Sequence, residues 1–238
     1  MNKHTLYYNL RDAFAEEGCP ICRLCSQAVD RYLSHLLYES VNDPGVRWDI
    51  RRSQGFCKEH AWQLQRKGDV LGIAIIHQDV IAAISRTLRR EGGYKLCLSP
   101  TYWLRKVLPG AGSEAARQLA KGLAPTGECP ACRQRTEVEL AYLETLLQHY
   151  TDPELQALWR TSGGLCWPHL QRALPLVRDE APLRLLIEME LPHFEKLCDE
   201  LSEFIRRHDY RFGSKGFGSE SDSWIRAIAK ISGWHGQP

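Results

Sequence analysis

Two short cysteine motifs occur twice along the chain, in the same order each time. A Cys-Pro-x-Cys motif begins at Cys19 and again at Cys129, and a Cys-x-x-His motif begins at Cys57 and again at Cys166. Cysteine thiolates and histidine imidazoles are the donors that zinc prefers, and each motif brings two of them close together. One motif of each kind supplies three cysteines and one histidine, which is the donor set of a closed tetrahedral metal site.

The simplest grouping joins motifs that are consecutive in the chain. It predicts two metal centres, one formed by Cys19, Cys22, Cys57 and His60 and the other by Cys129, Cys132, Cys166 and His169. Residues three apart share a helix face, and proline suits a first helical position, so each motif should lie at a helix start. The partial positive charge at a helix N-terminus favours thiolate over thiol.

The identity of the metal is less constrained than its ligands. Closed Cys3His sites favour zinc, whereas iron–sulfur clusters also accept cysteine and occasionally histidine, so clusters stay as the alternative. Cys25 extends the first motif toward a ferredoxin-like run, but Arg135 occupies its equivalent position in the second block. We therefore interpret Cys25 as a core thiol one helical turn below the site, and give Cys97 and Cys198 the same interpretation.

No catalytic constellation is evident from the sequence. Glu190 and His193 have the Glu-x-x-His spacing of di-iron bundles, but those need two such motifs, so we assign this pair a surface or packing role. Four protein ligands leave no open position for water, which argues against hydrolysis. We identify no catalytic or cofactor-binding residues besides the metal ligands, and we expect no enzymatic activity.

The duplication extends beyond the ligands and has helical periodicity. The Cys-Pro-x-Cys motifs are offset by 110 positions and the Cys-x-x-His motifs by 109, and Asp43-Pro44 between the first pair matches Asp152-Pro153 between the second. Apolar residues recur at spacings of three and four. These patterns predict an all-α protein made of a duplicated unit, with about five helices and one Cys3His site in each copy. The predicted bounds are 6–17, 22–40 and 69–90 in the first copy and 114–123, 132–150 and 181–208 in the second, with two short helices inside each copy.

The sequence divides into four predicted segments. They are a first metal-binding repeat (1–91), a glycine- and proline-rich connection (92–112), a second repeat (113–208) and a C-terminal loop with a short helix (209–238). The apolar face of that final helix should dock on the body, with partner binding as the alternative. Its members are Trp224, Ile225, Ile228 and Ile231.

Charge and hydropathy give expectations for location and partners. The chain has 238 residues with 31 Lys and Arg against 29 Asp and Glu, so its overall field does not attract nucleic acid or an anionic membrane. Residues 70–76 form the most apolar stretch, which is shorter than the roughly 20 residues that cross a bilayer. The N-terminus lacks the apolar core of a signal peptide. We expect a cytoplasmic protein without a membrane span, in which nine cysteines stay reduced.

The duplicated motifs, together with Asp209-Tyr210-Arg211 and Asp222-Ser223-Trp224, resemble a bacterial family catalogued only as a domain of unknown function. The resemblance spans nearly the whole chain and implies a shared fold and metal ligation, but no activity. Our hypothesis is a non-enzymatic metalloprotein whose two centres are structural zinc sites supporting a protein-interaction or regulatory role. The alternatives are an iron–sulfur protein for redox sensing or electron transfer and a zinc-based adaptor that binds nucleic acid. The partner, if any, is an unknown protein.

Overall fold

The computed structural model describes residues 4–90, 111–208 and 218–234. In these ranges the regular structure is helical and contains no strand, which confirms the all-α prediction. Within these ranges, five α-helices lie in each repeat and one follows them. They are α1 (Thr5–Phe14), α2 (Pro20–His35), α3 (Pro44–Arg52), α4 (Lys58–Gln65), α5 (Val70–Leu88), α6 (Ala111–Gly122), α7 (Pro130–Gln148), α8 (Pro153–Thr161), α9 (Trp167–Ala173), α10 (Glu180–His208) and α11 (Ser223–Ser232).

The Asp-Pro pairs start one short helix in each repeat. The Asp43 carboxylate accepts a hydrogen bond from the Val46 N–H at 2.8 Å, and Asp152 caps α8 in the same way. Pro44 and Pro153 occupy the first helical positions. An N–H group there has no partner within the helix, so its absence in proline costs no hydrogen bond. The chain therefore begins α3 and α8 where the sequence predicts.

The chain forms two compact units. One contains residues 1–28 and 135–238, and the other contains residues 29–134. We call them the discontinuous unit and the continuous unit. Their boundaries fall within α2 and α7, so they do not coincide with the predicted segments. Most of the predicted connection lies outside the described residues, as do positions 209–217 of the predicted C-terminal loop.

The discontinuous unit is built around aromatic side chains. Tyr7 and Phe14 of α1 are fully buried, and the Phe14 ring lies 5.4 Å from that of Trp159 on α8. The Tyr7 hydroxyl donates to an Asp152 carboxylate oxygen at 3.0 Å, which joins α1 to the start of α8. These contacts hold together segments that are far apart in sequence.

The continuous unit has an aliphatic core. Its deeply buried members include Val29 and Leu33 on α2, Ile50 on α3, Leu64 on α4 and Ile76 on α5. On α5, the Asp79 carboxylate lies 3.1 Å from an Arg51 guanidinium nitrogen and 3.2 Å from Arg47, which ties α5 to α3.

Helix α5 is long and apolar enough, by length and composition, to cross a membrane. The sequence predicts a helix over 69–90 whose most apolar part is 70–76, and the helix observed is 19 residues long, from Val70 to Leu88. Of its most apolar 18-residue window 17% is buried, and Asp79 on this helix forms the ion pairs with α3.

The final helix docks with the opposite face from the one predicted. Its four large apolar side chains, at positions 224, 225, 228 and 231, are between 49% and 58% exposed, whereas Ser223 and Lys230 are buried. The reason is a buried ion pair, in which the Lys230 ammonium lies 3.0 Å from a Glu190 carboxylate oxygen and also donates to the Gly163 carbonyl at 3.0 Å. This polar anchor turns the apolar face outward.

Candidate metal centres

The eight predicted ligands form two groups of four, but not in the predicted pairing. The discontinuous unit brings together Cys19, Cys22, Cys166 and His169, and the continuous unit brings together Cys57, His60, Cys129 and Cys132. Within each group all four donor atoms lie within 4.8 Å of one another. Each centre therefore combines the Cys-Pro-x-Cys motif of one block with the Cys-x-x-His motif of the other, and the grouping by sequence order was wrong.

Helix length explains this exchange. Helix α2 has 16 residues and is about 24 Å long, so it carries the chain well away from Cys22. Helix α3 has only nine residues, about 13 Å, and is too short to bring Cys57 back. In the second repeat, α7 with 19 residues and α8 with nine have the same disparity. Each Cys-x-x-His motif instead meets the cysteine pair of the other repeat.

The centre of the discontinuous unit lies where two helices begin. Cys19 directly precedes α2, and Cys166 is the N-cap residue of α9 with an extended backbone. The His169 Nδ1 atom lies 2.9 Å from the Cys166 sulfur, 3.3 Å from that of Cys19 and 3.4 Å from that of Cys22. The Cys22 and Cys166 sulfurs are 3.6 Å apart. This arrangement resembles a coordination shell.

The centre of the continuous unit repeats that geometry. Cys57 is the N-cap residue of α4, and Cys129 directly precedes α7. The His60 Nδ1 atom lies 3.2 Å from the Cys57 sulfur, 3.4 Å from that of Cys132 and 3.7 Å from that of Cys129. The Cys132 and Cys57 sulfurs are 3.6 Å apart, as in the other centre.

A carboxylate orients the histidine of the first centre. A Glu139 oxygen lies 3.2 Å from His169 Nε2, on the far side of the ring from the sulfurs, and Arg172 pairs with the other oxygen. Such a partner fixes the tautomer and leaves Nδ1 free to bind a metal. Sequence reasoning missed Glu139, because no motif marks it and its counterpart at the offset of 110 is Val29.

The thiols perturb one another strongly. Burial raises the pKa of Cys19, but hydrogen bonds with Cys166, Cys22 and His169 outweigh it and lower that pKa well below its usual range. Hydrogen bonds with Cys166 and Cys19 raise the pKa of Cys22, since the crowded thiols resist losing every proton. In the other centre, burial and hydrogen bonding with Cys57 raise the pKa of Cys132 to about 12. A divalent cation among three such sulfurs favours full deprotonation.

The other cysteines have different environments. Cys25 is buried, and its thiol lies 3.8 Å from the Arg135 carbonyl oxygen, outside the four-atom group as predicted. Cys198 is exposed, so its interpretation as a core thiol was wrong. Cys97 lies outside the described residues.

Glu190 supports the backbone beside the first centre. Its carboxylate accepts hydrogen bonds from the Leu165 N–H at 2.6 Å and from Trp159 Nε1 at 2.8 Å, in addition to the Lys230 pair. Burial raises the pKa of Glu190, and the Lys230 charge opposes that rise. Of the two roles predicted for the Glu-x-x-His pair, on the surface or in packing, the packing role is therefore the one observed. Glu190 holds Leu165, the residue that precedes Cys166.

Comparisons with known proteins identify a family of unknown function and an uncharacterised relative. Residues 1–238 match the model of a family described as being of unknown function (DUF6062). An uncharacterised 23.9 kDa protein from the xynA 3′ region of Caldicellulosiruptor sp. (strain Rt8B.4) is 25% identical over 222 residues, which cover 92% of this chain and 97% of that relative. No solved structure matches the chain.

Proposed function

Because the chain belongs to the DUF6062 family, which has no assigned function, we propose from the site geometry that it is a non-enzymatic zinc protein. Each Cys3His centre binds one structural zinc ion. The folded protein that results serves a protein-interaction or regulatory role.

The separation of the donor atoms carries the zinc proposal. Zinc–sulfur bonds of about 2.3 Å in a tetrahedral site place two sulfurs about 3.8 Å apart. One sulfur pair in each group is 3.6 Å apart, and every donor lies within 4.8 Å of the others. Ligands of an iron–sulfur cluster bind several irons and must spread around its core, so this compact arrangement favours a single ion.

The ligand count and the helix arrangement support a structural role. Four protein donors complete a tetrahedral shell and leave no position for a catalytic water. Each ion would pin the starts of two helices, such as those after Cys19 and Cys166, which are 147 positions apart in the sequence (166 − 19). Structural zinc supplies about 10–16 kcal/mol in small zinc-finger peptides, so metal binding would be coupled to folding.

Exposed apolar side chains support an interaction role. Four of them line α11, and Val70 and Leu71 at the start of α5 are 79% and 71% exposed. Contiguous apolar surface is typical of a protein-binding region. Nucleic-acid binding is less favoured because Arg47 and Arg51 are already paired with Asp79. The eight described cysteines are free of disulfides, which supports a reducing, cytoplasmic location.

Elemental analysis of protein purified without oxygen, combined with a visible absorption spectrum, tests the proposal. We expect two zinc ions per chain and a colourless protein. Cys198→Ser, at an exposed cysteine outside both groups, is the matched control and should leave the zinc content unchanged. Iron with sulfide and a brown absorbance would overturn the zinc assignment in favour of a redox function.

A further inference from the structure

We propose that the two centres differ in metal exchange: the centre of the continuous unit takes up and releases its zinc ion, whereas the centre of the discontinuous unit is closed by the C-terminal segment. This inference rests on the proposed function, because it presupposes one zinc ion in each centre. It assigns an exchangeable divalent-cation site to Cys57, His60, Cys129 and Cys132.

The first observation is the unequal burial of the sulfurs. All three cysteines of the discontinuous unit's centre are buried, at 5%, 7% and 1% exposure for Cys19, Cys22 and Cys166. In the continuous unit, Cys57, Cys129 and Cys132 are only partly buried, although His60 is 2% exposed. A chelator or an incoming thiol must reach the metal–sulfur bonds to displace a ligand, so exchange should be faster where sulfurs contact solvent.

The second observation is a cover over the buried centre. The Trp234 N–H donates to the Cys22 sulfur at 3.3 Å. A Cβ built on Gly233 would lie 3.6 Å from the Cys22 sulfur and 3.8 Å from that of Cys166, so this backbone lies directly on the centre. The N–H bond also stabilises negative charge on sulfur, which opposes loss of the metal.

The cover is itself held in place. The Trp234 ring packs against Gly18, where a Cβ would come within 2.4 Å of it, and the Arg23 guanidinium lies 5.3 Å from the ring centre. One turn earlier, the buried Lys230 pairs with Glu190 and fixes α11. The Glu139 carboxylate, which orients His169, adds to this protection.

The inference predicts which cysteines become reactive first. Zinc-loaded full-length protein is mixed with 4-(2-pyridylazo)resorcinol, which reports released zinc, and with N-ethylmaleimide, which traps freed thiols for peptide mass spectrometry. We expect two release phases of one zinc each, separated by at least about tenfold in rate. Cysteines 57, 129 and 132 should be labelled in the fast phase and 19, 22 and 166 in the slow phase. Exposed Cys198 is the positive control and buried Cys25 the control for slow labelling.

Truncation tests the cover separately. A chain that ends at Ser232 lacks Gly233 and Trp234 but keeps the Lys230 ion pair, and its slow phase should accelerate about tenfold or more while the fast phase is unchanged. A chain that ends at Trp234 keeps both residues and should behave as the wild type.

The outcomes separate the two proposals. Fewer than two zinc ions per chain at the start contradicts the proposed function. Two ions that leave at one rate, or first from cysteines 19, 22 and 166, overturn the difference between the centres. A slow phase that the shorter truncation leaves unchanged overturns the cover.

Discussion

The Cys22 sulfur lies 3.6 Å from the Cys166 sulfur, although 144 positions separate the two residues and Cys57 is much nearer to Cys22 in the sequence. The exchange of motifs between repeats follows from this contact, because each centre needs a ligand pair from both copies. Neither repeat can complete its own donor set. The two repeats should therefore fold together, and a single repeat expressed alone should not bind zinc.

Replacing Glu139 should weaken one centre selectively. The carboxylate lies 3.2 Å from His169 Nε2, and loss of such an outer partner lowers metal affinity by about 10–100-fold. We expect Glu139→Gln to reduce zinc affinity at one of the two sites in a competition titration against a chelator. Glu137→Gln, an exposed position on the same helix, is the matched control. Equal weakening of both sites would contradict the assignment of Glu139 to the centre that contains His169.

Lys230→Met should destabilise the protein by about 3–5 kcal/mol, because it leaves the Glu190 charge buried without its cation. Lys196→Met removes a 4.0 Å pair between an exposed lysine and Glu200, which keeps its Arg226 partner, and should cost less than about 1 kcal/mol. Chemical denaturation of the zinc-loaded proteins measures both values. A similar effect of the two substitutions would show that the buried pair does not anchor α11.

The destabilisation by Lys230→Met should also depend on pH. Burial raises the Glu190 pKa and Lys230 opposes that rise, so the variant has a still higher folded pKa than the wild type. The pKa of glutamate in the unfolded state is about 4.3. When the folded-state pKa of a carboxyl group is higher than this, the free energy of unfolding falls as the pH rises above the unfolded-state value. The stability deficit of the variant should therefore grow from about pH 5 toward neutrality. A deficit that shrinks over this range would contradict the sign.

Gly164→Ala should be much more destabilising than Gly163→Ala. Gly164 has a φ of 64°, and a Cβ there would come within 2.6 Å of the His193 ring and 2.8 Å of the Glu190 carboxylate. Strained backbone alone costs about 1–3 kcal/mol, and the clash would displace the group that holds Leu165. A Cβ on Gly163 would have its nearest contact at 3.5 Å, an ordinary van der Waals distance. Thermal unfolding compares the two, and equal melting temperatures would refute the packing described around Cys166.

Local signals predicted the helices well because the start of a helix depends on nearby residues. Asp43 and Pro44 were sufficient to place α3, and Cys166 lies at a helix start as expected. The identity of the ligands could also be predicted, since the duplication marks them.

The pairing of the motifs could not be read from local signals, because it depends on how far a helix carries the chain. The helices predicted over 22–40 and 132–150, each of 19 residues, already indicated how far the chain travels after each Cys-Pro-x-Cys motif. The order of the motifs nevertheless suggested the simpler grouping. The face of α11 was mispredicted for a related reason: a single buried contact between Lys230 and Glu190 outweighs the apolar pattern at Ile228 and its neighbours. Glu139 and Trp234 have no sequence signal, since their roles arise only when distant segments meet.

The zinc content of two double variants tests the central claim most directly. Cys57→Ala with Cys132→Ala removes two ligands of one centre, so this variant should retain one zinc ion per chain. Cys22→Ala with Cys57→Ala removes one ligand from each centre and should retain none. The reverse result, with no zinc in the first variant and one in the second, would contradict the exchanged pairing and restore the order of the sequence.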